Sequence, residues 1–444
     1  MTRSALTRRG FLATSLGAAA TVGLAACGGG GSAGVPGSSQ APAGNGGAAG
    51  YDGPAVELTF WNGFTGGDGA FMKKLVQQFQ SEHANIKISM NTMQWANYYA
   101  KLPTAVTAGQ GPDIAVMHVD SVATNAARRV IQPLDDVAAA LKLSEADFAP
   151  VPWKAGIYQD KRYSIPLDVH PLAFYYNKTL MEKAGLDPEK PPMDAASYGD
   201  ALEKFKSKGI LGHWATPFQF TGGLTVQSLI WQFGGELFTP DGKKSAFADE
   251  AAVKGMTWFT DLVKNGHSPN KIAQDADNIA FQNDKNAFIW NGIWNIGTLK
   301  EKPSLKWGVA ALPNIGGTKA AWAGSHQFVL PTSKTPDQNK STASRVFLNW
   351  ISQQSLEWAK GGQVPARNEV RESAGFKALK EQSIIGAQIN DLHFPPALPG
   401  IGDALTEFYK GVTEAVNGKD PKTAMSDAAG RADQVLAANE KKYG

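Results

Sequence analysis

Apolar positions recur along this chain at two periods. Val56-Glu57-Leu58-Thr59-Phe60 alternates apolar and polar side chains, and after a Gly-rich loop Met72, Leu75, Val76 and Phe79 follow at i, i+3, i+4 and i+7. This predicts strand, loop and helix. Ile86-Lys87-Ile88-Ser89-Met90 alternates again, a polar helical stretch runs through Tyr98 and Val106, and Asp113-Ile114-Ala115-Val116-Met117 reads as a buried strand. Strands that alternate with helices predict parallel pairing and an α/β fold class. The pattern continues with strands at Ala287–Trp290, Trp307–Ala310 and Phe328–Leu330. Phe347, Trp350 and Ile351 share one helical face, and Leu405, Phe408, Tyr409 and Val412 share another. Gly418 and Pro421 then break the chain before a last, Ala-rich helix.

The segment ahead of the first strand has a different character. Residues 28–50 contain ten glycines and no charged side chain, too little apolar surface to offset the entropy of ordering, so residues 27–50 are expected to be a flexible tether. Its Gly30-Gly31-Ser32-Ala33-Gly34 matches a hydrolase nucleophile pattern but lacks the strand and helix that chemistry requires. The apolar run Phe11–Ala26 is shorter than the roughly 20 residues of a membrane-spanning helix. Thr7-Arg8-Arg9-Gly10-Phe11-Leu12 resembles a twin-arginine export signal, and Leu24-Ala25-Ala26-Cys27 resembles the lipobox of bacterial lipoproteins. Residues 1–26 are therefore expected to be a signal peptide, with Cys27 the lipidated mature N-terminus.

Charge and cysteine content narrow the field. The net +3 of 43 basic and 40 acidic residues comes from Arg3, Arg8 and Arg9 of the signal, leaving 40 of each sign in the mature chain. That neutrality argues against a nucleic-acid partner, which needs excess Lys and Arg. Cys27 is the single cysteine, so no disulfide staples the body. All 12 tryptophans lie at or after Trp61.

Several segments stand in a recognisable order: Gly111-Pro112-Asp113-Ile114, Tyr163-Ser164-Ile165-Pro166-Leu167, Tyr175-Tyr176-Asn177-Lys178, Lys183-Ala184-Gly185-Leu186, Asn291-Gly292-Ile293-Trp294, Ala323-Gly324-Ser325-His326 and Gly361-Gly362-Gln363-Val364-Pro365. From about Val56 to Lys442 the chain resembles the extracellular solute-binding proteins of ABC importers, the family that includes maltose-binding and glycerophosphodiester-binding proteins. The resemblance implies a two-lobed periplasmic-binding-protein-like fold of type II, with a ligand cleft between lobes joined by hinge strands. Mapped here, one lobe would hold 51–165 plus 328–368 and the other 166–327 plus 369–444. Segments 166–170 and 324–328 would be hinges. The implied partners are a carbohydrate ligand and the permease subunits of an importer, with membrane contact through the lipid anchor alone. A monomer on the extracellular face of the cytoplasmic membrane is expected.

In open α/β sheets ligands sit beyond the carboxyl ends of strands. A sugar offers an apolar face and a rim of hydroxyls, so its site needs aromatic plates beside carboxylate, amide or imidazole groups. Stacking is expected from Trp61, Trp95, Trp231, Trp290, Trp294 and Trp322. Hydroxyl binding is expected from Asn62, His118, Asp120, Asp168, His170 and Asn291, and backbone contacts from Gly324 and Ser325. Arg367 matches an arginine that pairs with phosphate in the family's glycerophosphodiester binders and so carries the alternative ligand class. Trp258, Trp350 and Trp358 share helical faces with apolar residues and are expected in the core. No metal motif is present, since Asp275-Ala276-Asp277 lacks the glycine and glutamate of a calcium loop. Neither a metal nor a cofactor is expected. Asp120 and Asp168 could serve as the carboxylate pair of a glycosidase, but the whole-chain resemblance to carriers favours binding without catalysis.

Overall fold

Two sheets organise the computed structural model, which describes residues 50–443. The expected signal, Cys27 and the tether, Gly50 apart, lie outside the described residues. The first sheet has the strand order Ile86–Thr92, Val56–Asn62, Ile114–His118, His326–Val329, Ile165–Pro166. Its first three strands pair in parallel, as their alternation with helices predicts, while His326–Val329 runs antiparallel to both of its neighbours. The second sheet is built on the ten-residue strand Asp168–Asn177. That strand pairs antiparallel with Asn286–Gly292, Trp307–Ala310, Ala321–Gly324 and Val364–Pro365. Extending the parallel expectation to the second half is therefore incorrect: among the described strands of the second sheet, Leu211–His213 on Asn286–Gly292 and Leu392–His393 on Ala321–Gly324 are the parallel pairs.

Asp168–Asn177, Asn286–Gly292 and Ile114–His118 are covered on both faces and read as nearly unbroken apolar runs, whereas Val56–Asn62 and Ile86–Thr92 keep polar positions such as Glu57, Lys87 and Ser89 exposed and alternate. Along the long strand Leu172, Phe174 and Tyr176 enter one core, with helices Ile401–Val416 and Pro421–Tyr443, while Val169, Ala173 and Tyr175 enter another. In the first sheet Leu58, Phe60, Ile114 and Val116 face Phe347 and Trp358, and Ala115 and Met117 face Tyr98, Leu102 and Val106. This period-two division is what side chains alternating across a strand require. Helix Gly69–Glu82 buries Met72, Leu75, Val76 and Phe79, the four positions its periodicity marks.

The chain crosses between sheets at Leu167 and at Ser325, inside the two segments expected to be hinges. The crossings are bonded together, with the Leu167 N–H donating to the His326 carbonyl at 2.9 Å. Pro166, His326 and Gln327 pair in the first sheet, and Val364–Pro365 pairs in the second. Among the described residues no helix is long and apolar enough to cross a membrane.

One connection carries visible strain. In Gln219–Gly223, Thr221 has φ 68° and ψ −65°, a conformation β-branched residues avoid. Its hydroxyl donates to the buried Asp277 carboxylate at 3.3 Å. Burial pushes Asp277 up from 3.8 to about 6, against the opposing hydrogen bonds from Asn278 and Thr221. Between those values the native state keeps a proton that the unfolded chain has released, so stability falls as pH rises through that window. Asp277→Asn is expected to gain up to about 3 kcal/mol at pH 7 and to flatten this dependence. Urea midpoints at pH 4.5 and 7.5 check it; an unchanged pH slope would show that Asp277 does not hold the proton.

Candidate functional site

At the carboxyl end of Ile114–His118, where the two crossings meet, a fully buried carboxylate gathers four donors. Asp168 accepts from His170 Nδ1 at 3.0 Å and from the His326 backbone N–H at 2.9 Å on one oxygen. Its other oxygen accepts from His326 Nδ1 and Trp358 Nε1, both at 2.7 Å. Burial alone would raise its pKa, but His326 and the His170 and His326 hydrogen bonds hold it well below the usual carboxylate range. Asp168 thus ties strands of both sheets to helix Ser355–Ala359. Gly324 approaches so closely that a Cβ there would lie 2.3 Å from His170 Nε2.

Against this hub lies a cavity of about 320 Å³. One wall comes from helix Trp95–Ala108, the end of strand Ile114–His118 and helix Val119–Ala127, presenting Trp95, Tyr99, His118, Asp120, Thr124 and Asn125. The facing wall presents Gln219, Phe220, Trp322, Gly324 and Tyr409. The Trp95 indole closes over the first sheet only because residue 63 is glycine, whose Cβ would lie 2.1 Å from the ring. Tyr99 Oη accepts the His118 backbone N–H at 2.7 Å and contacts His118 Nδ1 at 2.8 Å. Burial raises Asp120 to about 6 and lowers His118 well below the ordinary imidazole range. At the mouth Arg128 pairs with Asp403 at 3.3 Å, a solvated bridge worth no more than about 1 kcal/mol.

Of the residues expected to bind ligand, Trp95, His118, Asp120, Trp322 and Gly324 line this cavity. Asp168, His170 and Ser325 are buried behind it. Trp294 is half-buried off the wall, its ring 6.0 Å from His170. The others are placed elsewhere. Trp61 is core, with the Lys101 ammonium 4.6 Å above its ring. Asn62 is fully buried, its Oδ1 accepting from the Phe64 N–H and the Thr92 hydroxyl. Trp231 is buried, stacked on His393 and donating to Glu236. Trp290 stacks on Trp258 in the core, and Asn291 accepts from the Gly292 N–H. Arg367 donates to the Ser352 carbonyl and hydroxyl with its guanidinium over Phe148, so it does not face the cavity. Trp61, Asn62, Trp290 and Asn291 stand on strands and Trp231 inside helix Leu224–Gln232, yet their side chains are buried in packing, and Arg367 is held half-buried against Ser352 and Phe148. Trp358, expected as plain core filler, is buried but also donates to Asp168.

Sequence reasoning missed Tyr99, Thr124, Asn125, Gln219, Phe220, Tyr409 and His326. Tyr409 was legible only as part of an apolar helical face, and the Thr221-Gly222-Gly223 break was the one local signal for Gln219 and Phe220. His118, His170 and His326 are far apart in the chain, yet one ring nitrogen of each lies within 4.8 Å of the other two.

With this geometry in view, a family model for bacterial extracellular solute-binding proteins matches residues 74–382. The sn-glycerol-3-phosphate-binding periplasmic protein UgpB of Shigella dysenteriae is 26% identical over 420 residues, covering 86% of this chain and 93% of that protein. An ABC transporter solute-binding protein from Thermotoga lettingae, solved with α-D-tagatose, is similar with a TM-score of 0.76 and 24% identity over 86% of this chain and all of its own. The GacH receptor of Streptomyces glaucescens, solved unliganded and with acarbose, gives a TM-score of 0.77 at 21% identity over 87% of this chain and 99% of its own. With the family model covering well over half of its length, the chain belongs to the bacterial extracellular solute-binding proteins.

Proposed function

We propose that this chain is a lipid-anchored solute-binding protein, exported by the twin-arginine route, that captures a sugar and delivers it as a monomer to an ABC importer. The observation that carries the reading is the cavity wall. Trp95, Trp322, Tyr99 and Phe220 offer flat apolar plates, while Asp120, Thr124, Asn125 and Gln219 offer in-plane donors and acceptors. A volume of about 320 Å³ lies at the small end of ligand pockets and suits one or two sugar rings. The Leu167 and Ser325 crossings would act as hinges between lobes carrying the two sheets. Asp168 has all four of its hydrogen bonds committed, so it does not stand free beside Asp120 as the second carboxylate that glycoside hydrolysis uses.

The relative that binds sn-glycerol 3-phosphate supports a second reading, a phosphate-bearing ligand. Arg367 is spent on Ser352, so such a ligand would depend on Arg128 at the cavity mouth. A thermal-shift screen of residues 51–444 against mono-, di- and trisaccharides, sn-glycerol 3-phosphate and glycerophosphodiesters decides between them. A ligand that binds only the native state adds about 2.7 kcal/mol at a hundredfold excess over Kd. A saccharide shift lost in Asp120→Ala is expected. A shift confined to phosphate compounds would move the chain to the second reading, and saccharide turnover would overturn both.

A further inference from the structure

We propose that His118, His170 and His326 form a three-nitrogen site for one divalent transition-metal ion of the zinc class, set where the two sheets cross beside the cavity. The donor set follows from the hydrogen bonds. An ionised carboxylate only accepts, so Asp168 fixes the proton of His170 and of His326 on Nδ1. Each ring is left with a bare Nε2 lone pair when neutral. In His170 that nitrogen is buried with no hydrogen-bond partner, an unmet cost in a ring only 1% exposed. Tyr99 Oη can take the Nδ1 proton of His118 in the same way, since a phenol oxygen accepts two bonds and already holds the His118 backbone N–H.

This is the arrangement in which metal-binding imidazoles are held elsewhere in proteins: one nitrogen free, the other oriented by a carboxylate or hydroxyl. Each of the three rings places one nitrogen within 4.8 Å of the other two, so the rings would close in toward the roughly 3.4 Å that tetrahedral bonds of about 2.05 Å impose. Burial keeps His118 and His170 neutral, as ligation requires. The charge balance also suits a cation, because Asp168 and the buried Asp68, whose Oδ1 lacks a partner, both lie near His326. Glycine at 324 leaves His170 Nε2 uncovered, where any side chain would occupy the lone pair. His118 and Gly324 both line the cavity, so the fourth position would face it, open to water or a ligand hydroxyl. His118 and His326 belong to the first sheet and His170 to the second, so the ion would clamp the crossing.

The test is equilibrium dialysis of the untagged, EDTA-stripped mature chain with Zn²⁺, followed by Co²⁺ substitution. About one zinc per chain is expected, with the intense visible d–d bands of four-coordinate Co²⁺. His118→Gln is expected to weaken zinc binding by at least about 100-fold and to abolish those bands. Should His118→Gln not fold, Tyr99→Phe serves, with a loss of about 10- to 100-fold. His83→Gln, outside the cluster, should bind zinc within twofold of the unaltered chain. Less than a tenth of an ion per chain overturns the site. So does six-coordinate Co²⁺ absorption, or undiminished zinc in His118→Gln.

Discussion

Asp168→Ala is expected to destabilise the folded chain by about 4 kcal/mol, read as a shift in urea midpoint at unchanged slope. The carboxylate is fully buried and accepts four hydrogen bonds from three residues. Removing it strands four donors in a place water does not reach, and each buried unmet donor costs on the order of 1–3 kcal/mol. Part of this is recovered as the rings rotate, which sets the figure near the 3–5 kcal/mol of a broken buried pair. Asp168→Asn should rescue little, because its amide nitrogen would face N–H donors and leave one oxygen to serve the rest. If Asp168→Asn were as stable as the parent chain, the carboxylate could not be the element that joins the crossings. The same variants should alter ligand binding only through the fold, since Asp168 lies behind the cavity wall.

Trp95→Ala is expected to act on both stability and affinity. The indole meets the edges of Phe64 and Tyr98, stacks on Tyr99 at 5.7 Å, leans on His118 at 4.3 Å and lies 5.8 Å from His326. Its other exposure is to the cavity. Burial of this ring is partial, so the stability cost should fall near 3 kcal/mol, the low end for deleting a large aromatic from a core. As the central plate of the wall it should also weaken binding of the best saccharide from the screen by about 100-fold, roughly 2.7 kcal/mol. Isothermal titration of the folded variant separates the two effects. An affinity within threefold of the parent would remove this cavity from the binding reaction. Trp95→Phe, which keeps an aromatic face, should recover most of the stability and part of the affinity.

Local pattern reached some features of this molecule and not others. The helix carrying Met72, Leu75, Val76 and Phe79 and the strands at 56 and 86 were legible because each buries its own periodic face, and those at 114 and 286 because a strand buried throughout reads as a short apolar run. Motif order carried the family. It did not carry sheet pairing in the second half, because antiparallel and parallel neighbours of a strand buried on both faces demand the same apolar sequence. Nor did it separate Trp95 from Trp61: both precede or follow strands, and only the packing of Lys101, Tyr99 and His118 around them decides which ring faces open space.

What the sequence determined by itself was thus everything set within a few turns of chain: element type, the apolar faces, the resemblance to an exported lipoprotein and the neutral charge of the body. What the tertiary structure alone decided was convergence. His118, His170, His326, Asp168 and Trp358 are remote in sequence and individually unremarkable, and they meet because two crossings at Leu167 and Ser325 are hydrogen-bonded to one another. A lone buried histidine or aspartate is costly, so residue identity at each position makes physical sense only once its distant partner is in place.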